Sequence, residues 1–196
     1  MSDYDADITT LLAAASAGDT EATDRLYVLV YEDLRNQARR RLRALPPHAT
    51  LQPTDLVSEA YIRLFGDGST PVEWSSRRHF YFAASRAMHD VVVEAARRHG
   101  AAKRGGGRDR VPLDDGHADT TPNTPRWTIL EIDEALQDLA DVDPDSAEVV
   151  LLRFFGALTY EQISDATGRS VGRIRGEWTF AQAWLKRRLK AHSGHS

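Results

Sequence analysis

Three arginines around a short turn near the end of this 196-residue chain are the side chains best suited to chemistry. Arg169, Arg173 and Arg175 surround Ser170, a residue type that often begins helices. A guanidinium forms two parallel hydrogen bonds with a phosphate or with the edge of a guanine. These residues therefore offer recognition of anions and bases rather than the making or breaking of bonds.

The sequence around these arginines predicts a helix-turn-helix. Thr159 and Gln162 have the spacing of a capping box, Gly168 marks the turn, and a second helix runs from Ser170 to about Lys190. Its expected inward residues are Ile174, Trp178, Ala181 and Leu185, and its expected outward residues are Gly172, Arg173, Arg175, Gly176, Thr179, Lys186 and Arg187. Such a helix can enter a major groove, although a plain helical hairpin with a solvated basic face and a protein-binding bundle fit the same pattern.

A second group combines aromatic rings with positive charge. Trp74, His79 and Tyr81 stand beside Arg77 and Arg78. Rings that stack on bases next to cations that neutralise phosphates are typical of proteins that capture single strands. Phe80, in the same stretch, is expected in the core.

Several kinds of chemistry are excluded by composition. The chain has no Cys, and its seven His show no paired ligand spacing, so we expect no metal, disulfide or thiol nucleophile. The KRGGG segment at 103–107 lacks the ending of a phosphate-binding loop and no predicted strand precedes it, so we expect no nucleotide or other cofactor. No apolar run reaches the roughly 18 residues of a membrane span, and the beginning lacks the pattern of a secretory signal, which predicts a cytoplasmic protein without a membrane partner.

Charge alternates strongly along the chain behind a net value of −4. Residues 76–110 hold nine basic and three acidic side chains, and residues 149–196 hold eight and three. Between them, residues 111–148 hold one basic and eleven acidic side chains. This pattern indicates local anion-binding faces, and it suggests that the acidic segment at 111–121 folds back on them in the free protein. Of the basic residues 22 are Arg, which suits phosphate contacts but also fits the codon bias of a GC-rich genome.

Apolar spacings of three and four predict an all-α protein with two small helical domains. The first, at 1–99, includes a four-helix set whose last helix buries Phe80, Ala84, Ala87, Val91 and Ala95. Residues 100–126, rich in Gly, Pro, Asp and Thr, are expected to be a flexible linker. The second domain, at 127–192, contains the helix-turn-helix, preceded by a helix predicted from Asp143 to Phe155.

Several motifs in fixed order resemble the extracytoplasmic-function (ECF) sigma factors of the sigma-70 superfamily. They are LQPTDLVSEAYIRL at 51–64, VEWSSRRHFYFAASRAM at 72–88, ARRHGAAKRGGG at 96–107, RVPLDD at 110–115, VVLLRFFGALTYEQISDATG at 149–168 and EWTFAQAWLKRRL at 177–189. The resemblance covers the chain from about Ile8 to Leu189. It implies a sigma region 2 domain at 1–99 and a sigma region 4 domain at 127–192.

The resemblance implies an initiation factor that binds core RNA polymerase, directs it to promoter DNA and performs no catalysis itself. Asp55 and Glu59, four residues apart on one helix, would contact the polymerase. Residues implied to open and read the minus-10 element are Trp74, Arg77, Arg78, His79, Tyr81, Arg97, Arg98, Lys103 and Arg104. Residues implied to read the minus-35 element are Arg169, Ser170, Arg173, Arg175, Gly176, Thr179 and Lys186.

Thr54 suggests how such a factor is regulated. Many ECF sigma factors have an acidic residue at the corresponding start of the polymerase-binding helix, whereas this chain has Thr54 before Asp55. Phosphorylation by a Ser/Thr kinase would place negative charge at a helix N-terminus, where the helix dipole favours anions. The alternative is that Thr54 is simply the helix N-cap. An anti-sigma protein is a further possible partner.

The sequence also departs from the family pattern. Gly176, Thr179 and Gln182 stand where relatives typically have basic residues, and His89 and Asp90 replace paired arginines in the fourth helix. Fewer phosphate-facing charges weaken DNA binding and its salt dependence. An alternative function is therefore a helix-turn-helix DNA-binding regulator with a sigma-like fold that does not load polymerase. An enzyme is a third alternative, supported only by spaced carboxylates and scattered His.

Overall fold

The computed structural model describes residues 3–26, 28–29, 53–65, 75–102, 110–113 and 126–193. Three residues of the predicted minus-10 surface, Trp74, Lys103 and Arg104, lie outside this part of the chain, as do most residues of the acidic segment at 111–121. The side chains of Thr54 and Asp55 also lie outside the described part, although both residues belong to a described helix.

The described residues are almost entirely helical, which confirms the predicted all-α fold. The helices are α1 (Asp3–Ser16), α2 (residues 20–26 and 28–29), α3 (Pro53–Phe65), α4 (Arg77–Ala102), α5 (Ile129–Val142), α6 (Pro144–Val150), α7 (Tyr160–Thr167) and α8 (Val171–Ser193). A π-helical segment, Leu151–Phe155, continues α6. Two short strands, β1 (Arg110–Pro112) and β2 (Arg126–Thr128), pair in an antiparallel ladder.

Strand β1 lies inside the predicted linker at 100–126, and β2 begins at the last residue of that linker. In this ladder Val111 is the register partner of Trp127. Leu113 and Trp127 are both buried, and the Gln182 side chain of α8 donates a hydrogen bond of 3.3 Å to the Leu113 carbonyl. Leu113, the residue directly after β1, is therefore attached to α8.

Helix α4 is packed on two sides. The stripe predicted from Phe80 to Ala95 is buried, as expected, and α4 contacts α3 and α1 of the N-terminal region. Its other side contacts α5, the π-helical segment and α7. The two polar side chains Ser85 and His89 of α4 are consequently buried. The helix expected to read the minus-10 element thus packs against both halves of the described chain.

Local sequence signals explain where the C-terminal helices begin. Thr128 and Glu131 form a capping box at α5, and the Asp143 carboxylate accepts hydrogen bonds from the Ser146 backbone and hydroxyl at α6, with Pro144 in the first turn. The helix predicted from Asp143 to Phe155 is observed, but its last five residues are π-helical. It ends at Gly156, where a Cβ atom would clash with the Ser85 Oγ atom of α4. Close packing of α4 against this turn requires glycine.

Candidate nucleic-acid interface

The predicted helix-turn-helix is formed by α7 and α8. Thr159 and Gln162 form the predicted capping box, with reciprocal hydrogen bonds of 2.9 and 3.1 Å. Gly168 ends α7 in the left-handed conformation, with φ of 72°, which glycine adopts without strain. The Ser170 hydroxyl accepts a hydrogen bond of 3.3 Å from the Arg173 backbone, so it caps α8 as expected.

The two sides of α8 are as the sequence predicts. Ile174, Trp178, Ala181 and Leu185 are buried, whereas Gly172, Arg173, Arg175, Gly176, Thr179 and Arg187 are exposed. Lys186 is partly buried. A Cβ atom at Gly172 or Gly176 would meet open space, so these glycines are not required by packing inside the protein. The exposed surface of α8 around them is available to an external partner.

Arg169 and Arg173 are engaged by carboxylates that the sequence analysis did not single out. The Arg169 side chain, only 10% exposed, lies 2.9 Å from Glu148 and 3.0 Å from Glu177. Arg173 lies 2.7 Å from Glu177 and 2.8 Å from Asp145, and the hydrogen bond with Glu177 is the main cause that raises its pKa. Arg173 remains exposed, whereas Arg169 is held inside the domain. The short-range pattern of the sequence could not reveal the pairs with Asp145 and Glu148, which come from α6, whereas Arg173 and Glu177 have the i,i+4 spacing of a helix pair.

Arg175 is the most accessible of the three arginines. Its guanidinium lies 5.2 Å from the centre of the Tyr160 ring and 3.7 Å from Glu161, both in α7, and its side chain is 61% exposed. The Thr179 hydroxyl donates to the Arg175 carbonyl at 2.8 Å. Arg175 therefore projects from a helix whose first turns also expose Gly176 and Thr179.

The beginning of α4 presents the predicted minus-10 residues unevenly. His79 is exposed, and Arg77 is partly buried with its guanidinium 5.8 Å from the Tyr81 ring. Tyr81 is only 6% exposed, so in this conformation its ring is not available to stack on a base; it packs beside Phe80, the residue expected in the core. Arg78 forms two hydrogen bonds with Glu148 of α6, at 2.8 and 2.9 Å, and these bonds raise its pKa.

The rest of α4 contains the two other described arginines of the predicted minus-10 surface, both exposed, and a buried histidine. Arg98 lies 3.1 Å from Glu59, the predicted polymerase contact in α3, and Arg97 lies 3.1 Å from Asp133 of α5. His89 is 5% exposed; its Nε2 atom lies 2.9 Å from Asp133 and its Nδ1 atom 2.8 Å from Asp90. His89, one of the two residues by which the sequence departs from the family pattern, thus belongs to the contact between α4 and α5, and Asp90 pairs with His89 and Arg86 within α4.

Comparison with known protein families complements this geometry. A family model described as ECF sigma factor matches residues 5–191 of the chain. No curated protein and no solved structure gives a significant match. Among the described helices, none is both long and apolar enough to cross a membrane.

Proposed function

The chain belongs to the ECF sigma factor family, and from this premise we propose that it binds core RNA polymerase and directs it to specific promoters. The observation that carries the proposal is the family match over residues 5–191, which includes both predicted domains. A role in transcription initiation and DNA binding follows from the family. The assignment of individual residues, below, is our proposal.

We assign recognition of the minus-35 element to the exposed side of α8. Arg175 and Arg173 are the proposed contacts to bases or phosphates, with Ser170, Gly176 and Thr179 beside them and Lys186 farther along the helix. Gly172 and Gly176 allow the helix backbone to approach DNA closely, at a cost to helix stability of about 1 kcal/mol each relative to Ala. Arg169, the remaining residue of this predicted surface, would support the helix start through its ion pairs.

We assign melting and recognition of the minus-10 element to α4 and the segment before it. Arg77, Arg78, His79, Arg97 and Arg98 supply the charge and hydrogen-bonding groups, with Trp74, Tyr81, Lys103 and Arg104 completing the proposed surface. Asp55 and Glu59 of α3 are the proposed contacts to polymerase. Since Glu59 lies against Arg63 and Arg98, its use by polymerase requires those pairs to rearrange.

We further propose that phosphorylation of Thr54 by a Ser/Thr kinase strengthens polymerase binding. Thr54 is in the first turn of α3, where added negative charge interacts favourably with the helix dipole. An anti-sigma protein is the other proposed means of control. The protein is proposed to act in the cytoplasm, without catalysis of its own.

The test measures binding of the full chain to purified core polymerase, followed by promoter-dependent transcription from the complex. Unmodified protein is compared with kinase-treated protein, Thr54→Glu, and Thr54→Ala as the variant that cannot be phosphorylated. Tight binding by unmodified protein supports the sigma function and contradicts a requirement for phosphorylation. Binding only after kinase treatment supports both the sigma function and regulation through Thr54. Arg175→Ala should lower transcription, and Arg187→Ala, which removes the same charge farther along α8, should have a smaller effect.

The alternative function, a DNA-binding regulator that does not load polymerase, predicts a different result. Isolated protein would bind duplex DNA with a strong salt dependence, yet no form of it would bind core polymerase. That outcome would overturn the proposed sigma function.

A further inference from the structure

Two buried carboxylates of the C-terminal half hold three basic side chains of α4. The Asp133 side chain, 4% exposed, contacts His89 and Arg97, and the Glu148 side chain, 8% exposed, contacts Arg78. A carboxylate removed from water is strongly destabilised unless cations and hydrogen-bond donors replace the lost water. We name Asp133 and Glu148 the inner carboxylates. Within the described residues the side-chain partners of Asp133 are both in α4, whereas Glu148 also pairs with Arg169 of its own half at 2.9 Å.

The contact is also closely packed. The His89 ring meets Phe155 edge to face, with ring centres 4.6 Å apart, and Ser85 lies against Gly156 without room for a Cβ atom. The His89 ring lies between two carboxyl groups, with Nδ1 2.8 Å from Asp90 and Nε2 2.9 Å from Asp133, and Arg97 lies 3.1 Å from the other oxygen of Asp133. Charge pairing and packing therefore act at the same surface.

Two of the three basic residues at this contact, Arg78 and Arg97, are also assigned above to DNA. Arg78 and Arg97 cannot pair fully with the inner carboxylates and with DNA phosphates at the same time. On the basis of the proposed function, we propose that Asp133 and Glu148 form an internal anion site that holds α4 against the C-terminal half in the free protein and competes with DNA for its arginines. DNA then binds the fraction of molecules in which this contact is open.

The proposed anion site explains why α4 has His89 where family members have an arginine. His89 takes one of the positions at which family members typically have paired arginines, and it faces Asp133 rather than solvent. A shorter side chain with two nitrogens on one ring fits a buried carboxylate at the centre of the contact. These carboxylates belong to α5 and α6, and the masking expected of the acidic segment at 111–121 stays a separate prediction, since most of that segment lies outside the described residues.

The experiment uses the full chain and a fluorescent forked DNA of mixed sequence with a single-stranded tail. The test variants are Asp133→Asn, Glu148→Gln and the double variant, and the matched control is Glu134→Gln. Glu134 is an exposed carboxylate of α5 for which the described residues supply no ion pair. All single variants remove one negative charge, so a general change in net charge affects them equally. Circular dichroism establishes that each variant is folded.

If one tenth of the free molecules are open, full opening tightens apparent DNA binding about tenfold, because affinity scales with the competent fraction. The double variant should approach this gain and show a larger radius of gyration by small-angle X-ray scattering, whereas Glu134→Gln should do neither. Ser85→Leu adds bulk between α4 and Gly156 and leaves every charge in place, so it should also tighten DNA binding. Unchanged scattering in the double variant and in Ser85→Leu would overturn the proposal.

The outcomes also separate this proposal from the sigma function. Opening by scattering without tighter DNA binding would overturn the competition with DNA, while polymerase-dependent transcription would continue to support the proposed function. Failure of transcription with a clear opening and tighter DNA binding would instead overturn the sigma function and support the internal site.

Discussion

The two sides of α4 are held by ion pairs of different kinds. On the side of α3, Glu59 pairs with Arg98, and Arg63 pairs with Glu94, with side chains 30–64% exposed. We call these the outer pairs. On the side of the C-terminal half, the inner carboxylates are nearly inaccessible to solvent.

This difference decides what each set contributes. Exposed ion pairs contribute about 0–1 kcal/mol, because water already solvates both partners and salt screens their attraction. A buried carboxylate without its partners is costly, so losing an inner pair is expected to cost more free energy than losing an outer pair. Ion pairs with similar N–O distances therefore differ in the free energy that their loss costs. Losing an outer pair costs little, whereas the inner pairs join α4 to the C-terminal half.

The largest expected loss of stability follows removal of Arg169, which pairs with Glu148 inside the C-terminal half. Arg169→Ala leaves Glu148 and Glu177 without their shared cation and should lower the free energy of unfolding by about 3 kcal/mol. Arg78 and Arg173 still contact the two carboxylates, which keeps the loss near the lower end for buried pairs. Urea unfolding measures the change, with Arg98→Ala as the exposed control. A loss for Arg169→Ala no larger than that of the control would contradict the comparison.

The next largest loss of stability is expected from a substitution at the contact between Gly156 and Ser85 of α4 that changes no charge. Gly156→Ala places a Cβ atom against Ser85 Oγ and the Leu152 carbonyl, which should cost about 1–3 kcal/mol of stability. Ser85→Ala removes the Oγ atom, which has no hydrogen-bond partner in the described part of the chain. The loss from Gly156→Ala should therefore be smaller in the Ser85→Ala background. Equal losses in both backgrounds would show that α4 does not pack on this turn in solution.

A carboxylate with local partners should behave differently from the inner carboxylates. Asp143→Ala removes the N-cap of α6 and should cost about 1 kcal/mol. The Ser146 hydroxyl is the main cause that lowers the pKa of Asp143 below its ordinary value, so this stability is complete above the ordinary pKa and disappears as pH falls through the lowered one. Unfolding measured between pH 7 and pH 3 should show a constant difference from the unsubstituted protein down to about pH 5 and a shrinking one below pH 4. A difference that grows with acidification would contradict this assignment.

The smallest effect is expected for the outer pairs. Glu59→Gln and Arg98→Ala should each change stability by less than about 1 kcal/mol, and their coupling should fall further in high salt. A double-mutant cycle by urea unfolding, at low and high salt, measures that coupling. A coupling above 1 kcal/mol that persists in high salt would place Glu59 among the buried pairs rather than the exposed ones.

Much of the fold was predictable because its signals are local. The capping residues Thr159 and Asp143, the left-handed Gly168 and the apolar stripe of α8 act over a few residues, and the structure agrees with each of them. The two short strands were missed, because three residues are too few to show an alternating pattern. The π-helical end of α6 was missed because its apolar pattern is that of an ordinary buried helix.

The candidate site was predictable only in part. Residue type and helical position correctly place Arg175, Gly176 and Thr179 on the exposed side of α8. The same reasoning expected an open stacking surface at Tyr81, which the packing of α4 buries. It could not assign partners to Arg78 or Arg169, because Glu148 is distant in sequence and has no pattern that marks it as buried.

The sequence by itself determined the helices, the helix-turn-helix and the family, since these depend on residue types within a few turns and on the order of motifs. Only the tertiary structure decided which charges are free to meet a partner. A carboxylate chooses its cation by distance and burial, and those quantities arise when α4, α5 and α6 come together. His89 shows the difference: in the sequence it is a missing arginine, and in the fold it is the ring that joins α4 to Asp133.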